Sequence, residues 1–405
     1  MPHAVPVSAH FVASEDQPGV TPAVRLRAAV AAAPLRHAGS AVTLASLWPS
    51  YCNTKVAMRI AQVAPLFEAV PPQLYGGTER VVSHLTEELV RRGHDVTLFA
   101  SGDSRTAATL FPVVPRAMRL GSANRDLMIV DLIRELDLAF TRAGDFDVIH
   151  CHIDYLAFPF GSLSGTPTVH TLHGRQDLEF QRALYRHFAR TPLVSISDAQ
   201  REPLRDLELA WAGTVHHGLP LEGYPYAPRD QGYLAFLGRL APEKQPDVAI
   251  EVARRAGMPL KIAAKVDDAD REYFERVMVP LLDDPLVEFI GEIGDADKAA
   301  FLGGARALLF PIDWPEPFGL VMIEAMACGT PVIGRPCGSV PEVVVPGRTG
   351  FIGDTLVELA DAVKRVDEID RADCRTHVER HFTVAQMADG YEKVYRRLGA
   401  LRKAA

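Results

Sequence analysis

The sequence predicts an α/β protein of two doubly wound, Rossmann-like domains facing one another across a cleft. From Met58 onward short apolar runs alternate with amphipathic stretches, a proline-rich interruption follows near the middle, and the same alternation then restarts. Apolar runs of strand length separated by helical periodicity are the pattern of parallel sheets covered by helices. The length, 405 residues, also fits two domains better than one, since a domain usually takes about 100–200 residues.

Taken in order, "MRIAQVAP" is the first strand candidate, and "TERVVSHLTEELVRR" is a helix because Val81, Val82, Leu85 and Leu89 share one face. Gly93 stands where a helix-ending glycine belongs, and "DVTLFA" is the next strand. "DVIHC", "TVHTL", "PLVSI" and "TVHHG" continue the series, each ending near a small, polar or histidine residue. Carboxyl ends of such strands are where open α/β sheets bind ligands. Residues 105–142 carry several arginines among apolar residues and read as a solvated helix face rather than a membrane-touching one. Residues 219–229 hold three prolines and no periodicity, the mark of a linker. Beyond it "YLAFLG", "LKIAAK", "VEFIG", "ARALLFP" and "PVIGR" are strands, separated by helical patterns near 247–256, 270–282, 295–302 and 320–326. A last helical pattern covers 384–401. The expected division is an extension (1–57), a first domain (58–218), the linker (219–229), a second domain (230–383) and a C-terminal helix (384–405) able to cross back to the first domain.

Composition narrows the partners. Hydrophobic residues make up 48% and charged residues 23%, a globular profile. Lys and Arg total 43 against 51 Asp and Glu, and a net charge of −8 gives no basic footprint for nucleic acid and little attraction to anionic lipid. Cys52, Cys151, Cys328, Cys337 and Cys374 form no C-x-x-C pair and have no histidine at zinc spacing, which suits reduced thiols and a cytoplasmic location. No apolar run reaches the roughly 18 residues that would span a bilayer. The first 57 residues are rich in Ala, Val and Pro, and their most apolar piece is too interrupted for a secretory signal. They read as a disordered extension or as the product of an upstream start codon.

Candidate chemistry gathers at the loops. Gly76 and Gly77 in "LYGGTERVV" lie between a strand and a helix, where bare backbone lets an anion approach the amides and the positive helix end. Neither G-x-G-x-x-G nor a P-loop is present, and a lone double glycine in such a loop is more often a tight turn. Arg239 and Lys244 in "FLGRLAPEKQPD" stand five apart after a strand and could neutralise a diphosphate, or simply face water. In "WPEPFGLVMIEAM", Pro317 biases Glu316 to the loop before the helix, whereas Glu324 falls in an almost wholly apolar helix. A buried carboxylate needs partners. Paired hydroxyls of a sugar or ribose would serve, as would a buried ion pair. "HCH" at His150 and His152 and "HH" at His216 and His217 look like metal ligands, but no acidic or cysteine cluster accompanies them. "DFD" at 145–147 runs into the strand "VIHC" and reads as its start rather than as a metal motif.

The segment "FPIDWPEPFGLVMIEAMACGTPVIGRPCGSVPEVVVPGRTGFI" resembles the E-x7-E signature region of the family 4 glycosyltransferases, retaining enzymes of GT-B fold. "RIAQVAP", "YGGTERVVSHLTEELVRRGHDVTLFASGDS", "DFDVIHCH", "TLHG", "SISDAQR" and "GRLAPEK" appear in the family's order, so the likeness runs from Met58 to near the C-terminus. The resemblance implies that Gly76 and Gly77 place amides at a donor diphosphate held from the other domain by Arg239 and Lys244. It places Glu324 at the ribose, Glu316 with the amides of Phe318 and Gly319 at the transferred sugar, His173 of "TLHG" near the reacting carbon, and Glu292 and Ile293 at the base. Two local departures are Gln245 where the family commonly has Gly, and "VHHGL" where an Asn usually precedes the Gly.

The expected activity is that of a metal-independent, retaining hexosyltransferase using a UDP- or GDP-linked sugar, such as UDP-glucose or GDP-mannose, and a hydroxyl acceptor. No cofactor is expected, the catalytic set being His173, Glu316, Arg239 and Lys244. The alternatives are another GT-B enzyme, epimerase-like or phosphorylase-like, and a catalytically silent sugar-nucleotide-binding protein.

Overall fold

A computed structural model of the chain describes residues 57–74, 76–120 and 125–404. Apart from Ala57, the expected extension, with Cys52 in it, lies outside the described residues. Among the described residues no helix is long and apolar enough to cross a membrane.

Two parallel sheets organise these residues. The first has seven strands, β1 (Arg59–Val63), β2 (Asp95–Ser101), β3 (Thr109–Val114), β4 (Val148–Cys151), β5 (Thr168–Thr171), β6 (Leu193–Ser195) and β7 (Trp211–Thr214), in the order β3-β2-β1-β4-β5-β6-β7. The second has six, β8 (Tyr233–Arg239), β9 (Leu260–Lys265), β10 (Val287–Gly291), β11 (Ala305–Phe310), β12 (Val332–Gly334) and β13 (Gly350–Ile352), in the order β10-β9-β8-β11-β12-β13. Both orders are doubly wound, as expected. Each reverses beside its first strand, between β1 and β4 and between β8 and β11, and such switch points open crevices at the carboxyl ends of strands.

The Gly77–Arg91 helix buries Val81, Val82, Leu85 and Leu89 completely. It ends where Gly93 takes a φ of 87°, a conformation that costs glycine nothing. The Leu320–Ala327 helix is buried from Met322 onward, Glu324 included, as its apolar sequence demands. The chain leaves the first domain at Leu219 and returns there: the Leu219 amide donates to Phe382 O at 2.8 Å, and the Val384 amide donates to Leu219 O at 3.1 Å. The Val384–Ala404 helix then packs Met387, Ala388, Tyr391, Val394 and Tyr395 into one cluster with Ile60, Val81, Leu85 and Val148 of the first domain. Arg92 fastens it, its guanidinium donating to Asp389 at 2.6 Å and Glu392 at 3.0 Å.

Several local expectations need correction. "TVHHG" is not a strand: β7 lies upstream at Trp211–Thr214, and the chain beyond it turns to meet the returning segment. A Cβ on Gly218 would sit 2.2 Å from Thr383 O, so that turn is packed backbone on backbone. Residues 105–142 hold β3 as well as the Arg125–Thr141 helix. Pro112 hides β3 from a strand pattern, and an edge strand is where a proline is tolerated. β13 is three residues long, too short for periodicity to register.

Candidate active site

The loops at the two switch points wall a cavity of about 600 Å³. Gly76, Gly77 and His173 reach it from the first domain, and Arg239, Lys244, Glu292, Ile293, Glu316, Phe318, Gly319 and Glu324 from the second. Two helix amino ends meet there: a Cβ on Gly77, the first residue of its helix, would touch Leu320 Cδ1 at 3.9 Å, and Leu320 opens the other helix. Each presents its first-turn backbone and a positive dipole end, a setting that favours an anion. Gly319, with φ 73°, makes the second approach possible, because a Cβ there would lie 2.9 Å from Met322 and 3.0 Å from Phe310.

The cations do not face water. Lys244 forms an ion pair with Glu316 and lies 4.6 Å from the Trp314 ring centroid, while Trp314 Nε1 donates to the same Glu316 Oε2 at 2.9 Å. Arg239 pairs with Glu243 and stands 3.4 Å from Asp270 and 3.7 Å from Asp267. A diphosphate here would compete with carboxylates already in place. Gln245, next to Lys244, adopts φ 53°, so the loop keeps the left-handed turn that suits glycine despite the substitution.

Glu324 has the partners its burial requires. Its Oε1 accepts from Lys298 Nζ and from Tyr224 Oη, both at 2.9 Å. Burial pushes the carboxyl up, but Lys298 and Arg80 outweigh it and hold the group below its ordinary value. Its Oε2 takes no hydrogen bond from the described residues, which leaves one oxygen for ligand hydroxyls. Lys298 also stands 3.4 Å from Asp295, and Asp295 pairs with Arg80 of the first domain, so a charge chain crosses the cleft.

On the first-domain wall His173 Nε2 lies 2.8 Å from His152 Nδ1, and the His173 ring stacks on His217 with centroids 5.4 Å apart. Desolvation lowers the His173 pKa to about 3, so the ring is neutral. The His173 amide donates to Asp154 Oδ1 at 3.2 Å. Asp154 holds φ 40°, a strained conformation for a non-glycine residue, and desolvation pushes its carboxyl up to about 6. The paired histidines of "HCH" bond to other side chains: His150 to Tyr395 and Thr171, and His152 to His173 and Gln62. Asp147 of "DFD" pairs with Arg59 at 2.8 Å.

Sequence reasoning missed Lys298, Asp295, Arg80, Tyr224, Trp314 and Asp154. The first four enter through contacts between distant segments and had no local signal. Trp314 sits inside a quoted motif and Asp154 two residues beyond "HCH", where the aromatic and the acid were visible but had no partner to explain them.

Two family models match the chain: "Glycosyltransferase Family 4" over residues 75–222 and "Glycosyl transferases group 1" over residues 226–376. The chain is 28% identical to a glycogen synthase of Mycobacterium tuberculosis, covering 69% of this chain and 79% of that protein. It is 26% identical to a D-inositol 3-phosphate glycosyltransferase of Mycolicibacterium smegmatis, covering 72% of this chain and 78% of that protein. Among solved structures, AviGT4, a glycosyltransferase involved in avilamycin A biosynthesis, superposes with a TM-score of 0.63 at 25% identity, covering 85% of this chain and 98% of that one.

Proposed function

The chain belongs to family 4 of the GT-B glycosyltransferases, and from that premise we propose that it transfers a hexose from a UDP- or GDP-linked sugar to a hydroxyl acceptor, with retention and without a metal. The observation that carries this reading is the convergence of two helix amino ends, Lys244 and the Glu316–Trp314 pair on one cavity between the domains. A nucleotide diphosphate sugar needs that combination. Its diphosphate takes the amide-rich helix ends and the cations, its ribose hydroxyls take Glu324, and its sugar lies between Glu316 and His173.

Charge accumulates on the departing diphosphate as the glycosidic bond breaks, and Lys244, Arg239 and the helix ends are placed to stabilise it. These groups supply in side chains and dipoles what a divalent cation supplies elsewhere. Arg239 takes part by exchanging a carboxylate for phosphate oxygens. The acceptor attacks from the face the diphosphate leaves, and a phosphate oxygen takes its proton, so no protein base is required. Glu316 is committed to Lys244 and Trp314 and orients the sugar; it is not a nucleophile. Glu292 and Ile293 meet the base. The protein works in the cytoplasm.

A panel of UDP-, GDP- and ADP-sugars, scored by thermal shift with a chelator present and followed by anomeric analysis of the product, tests this reading. Stabilisation by one nucleotide series, with an unchanged anomer in the product, is expected. Stabilisation that disappears with chelator, or an inverted product, would overturn the metal-free or the retaining part respectively.

A further inference from the structure

Seven buried or cavity-wall side chains form one unbranched hydrogen-bonded run from His173 into the first domain, and all its donor and acceptor roles agree. Gln62 sets the direction: its amide nitrogen lies 3.2 Å from Tyr395 Oη and its carbonyl oxygen 2.8 Å from His152 Nε2. An amide oxygen only accepts, so His152 carries its proton on Nε2 and a lone pair on Nδ1. His173 Nε2, 2.8 Å from that lone pair, is then the donor. On the other side Gln62 donates to Tyr395, whose own proton goes to His150 Nδ1 at 2.7 Å. His150 Nε2 donates to Thr171 at 2.7 Å, and Thr171 donates to Tyr391 Oη at 3.1 Å. Reversing the run would place an N–H on His173 Nδ1, a buried atom with no partner among the described residues. An orphaned buried N–H is rarer than an unfilled lone pair, and aligned hydrogen bonds strengthen one another.

We infer that this run, with Gln62 at its junction, is a positioning relay that holds His173 as the neutral Nε2–H tautomer, with no proton to give a substrate. The inference deepens the proposed function, on which the place of the sugar beside His173 rests, whereas the tautomer stands without it. His173 then serves as a fixed wall of the site through its ring and its backbone, not as a general acid. The acceptor's proton is left to the phosphate. The relay also gives the "HCH" histidines a role other than metal ligation and makes the C-terminal helix, through Tyr391 and Tyr395, part of the site's support.

The test is long-range ¹H–¹⁵N spectroscopy of the full-length chain with labelled histidines, the two resonances assigned from His173→Asn and His152→Asn. Nε2–H forms for both rings, unchanged between about pH 5 and 8, are expected. An Nδ1–H form of either ring, or an imidazolium titrating in that range, overturns the inference whether or not any donor is turned over. For the positioning role, Gln62→Leu should mix the tautomers and lower kcat about tenfold with less than about twofold change in the donor KM. Gln62→Glu, whose carboxylate still accepts from His152, should restore both the single tautomer and the rate. Should Gln62→Leu fail to fold, Tyr395→Phe, which frees the Gln62 amide, replaces it. A single Nε2–H tautomer with unchanged kcat in the variant that folds overturns the role.

Discussion

Lys244 stands between the Glu316 carboxylate and the Trp314 face, so its ammonium is oriented before any ligand arrives. Lys244→Ala should lower kcat at least about tenfold, the usual scale for losing an electrostatic donor, with little change in Tm. Unaltered turnover with every active donor would refute its role. Glu79 makes a second prediction at this scale. It lies buried at the cavity wall in the first turn of its helix, and desolvation, with a smaller contribution from Glu68, raises its pKa from 4.5 to about 7. The fold therefore favours the protonated acid, and stability falls as pH rises from about 4.5 to about 7. The loss is on the order of 3 kcal/mol. Glu79→Gln should flatten the fall of Tm over that window, and a variant with the wild-type pH dependence would contradict the assignment. Glu324 shows what was legible at this scale and what was not. An apolar helix around a carboxylate demanded partners, but Lys298 and Tyr224 lie 26 and 100 residues away, beyond any local pattern.

Among the elements, those long enough for periodicity to register were readable. The Gly77–Arg91 and Pro246–Ala256 helices, and strands β1, β2 and β8 to β11, fall where alternation of apolar residues placed them. β3, with its proline, and the three-residue β13 carry too little pattern. Their places are set by pairing with β2 and β12. The turn that seats Glu316 is fixed by neither propensity nor pattern. Gly338 holds φ 55°, and a Cβ there would lie 2.3 Å from Glu316 N and 2.4 Å from Glu316 O. The neighbouring Ser339 amide donates to Glu316 O at 3.0 Å, and its hydroxyl to Phe318 O at 2.7 Å. Gly338→Ala should therefore cost at least about 2 kcal/mol, combining left-handed strain with a backbone clash. It should also lower kcat by displacing Glu316. Denaturant unfolding and steady-state kinetics check both, and a variant as stable as wild type would show that the turn gives way freely.

At the scale of the molecule the last helix closes the circuit, since it belongs to the end of the chain but is packed into the first domain's core. It buries Met387, Tyr391, Val394 and Tyr395, each worth about 1.5–3 kcal/mol as apolar burial, and supplies two hydroxyls to the run behind His173. A chain ending at Phe382 should lose its cooperative unfolding transition in calorimetry. Retention of a transition within a few degrees of the full-length protein would mean that the first domain is self-sufficient. By itself the sequence determined the fold class, the order of most elements, the separation of Glu316 in a loop from Glu324 in a buried helix, and the residues that would meet at a cleft. The first three follow from side-chain periodicity, backbone preference and the cost of burying charge, all of which act within a few residues; the set of cleft residues came from the resemblance to the family 4 glycosyltransferases. The tertiary structure alone decided that Lys244 is engaged by Glu316, that Arg239 is shared among carboxylates, that Lys298 answers Glu324, and that histidines resembling metal ligands form a hydrogen-bonded run. Those outcomes depend on which distant groups share a low-dielectric space, and chain packing, not local pattern, sets that.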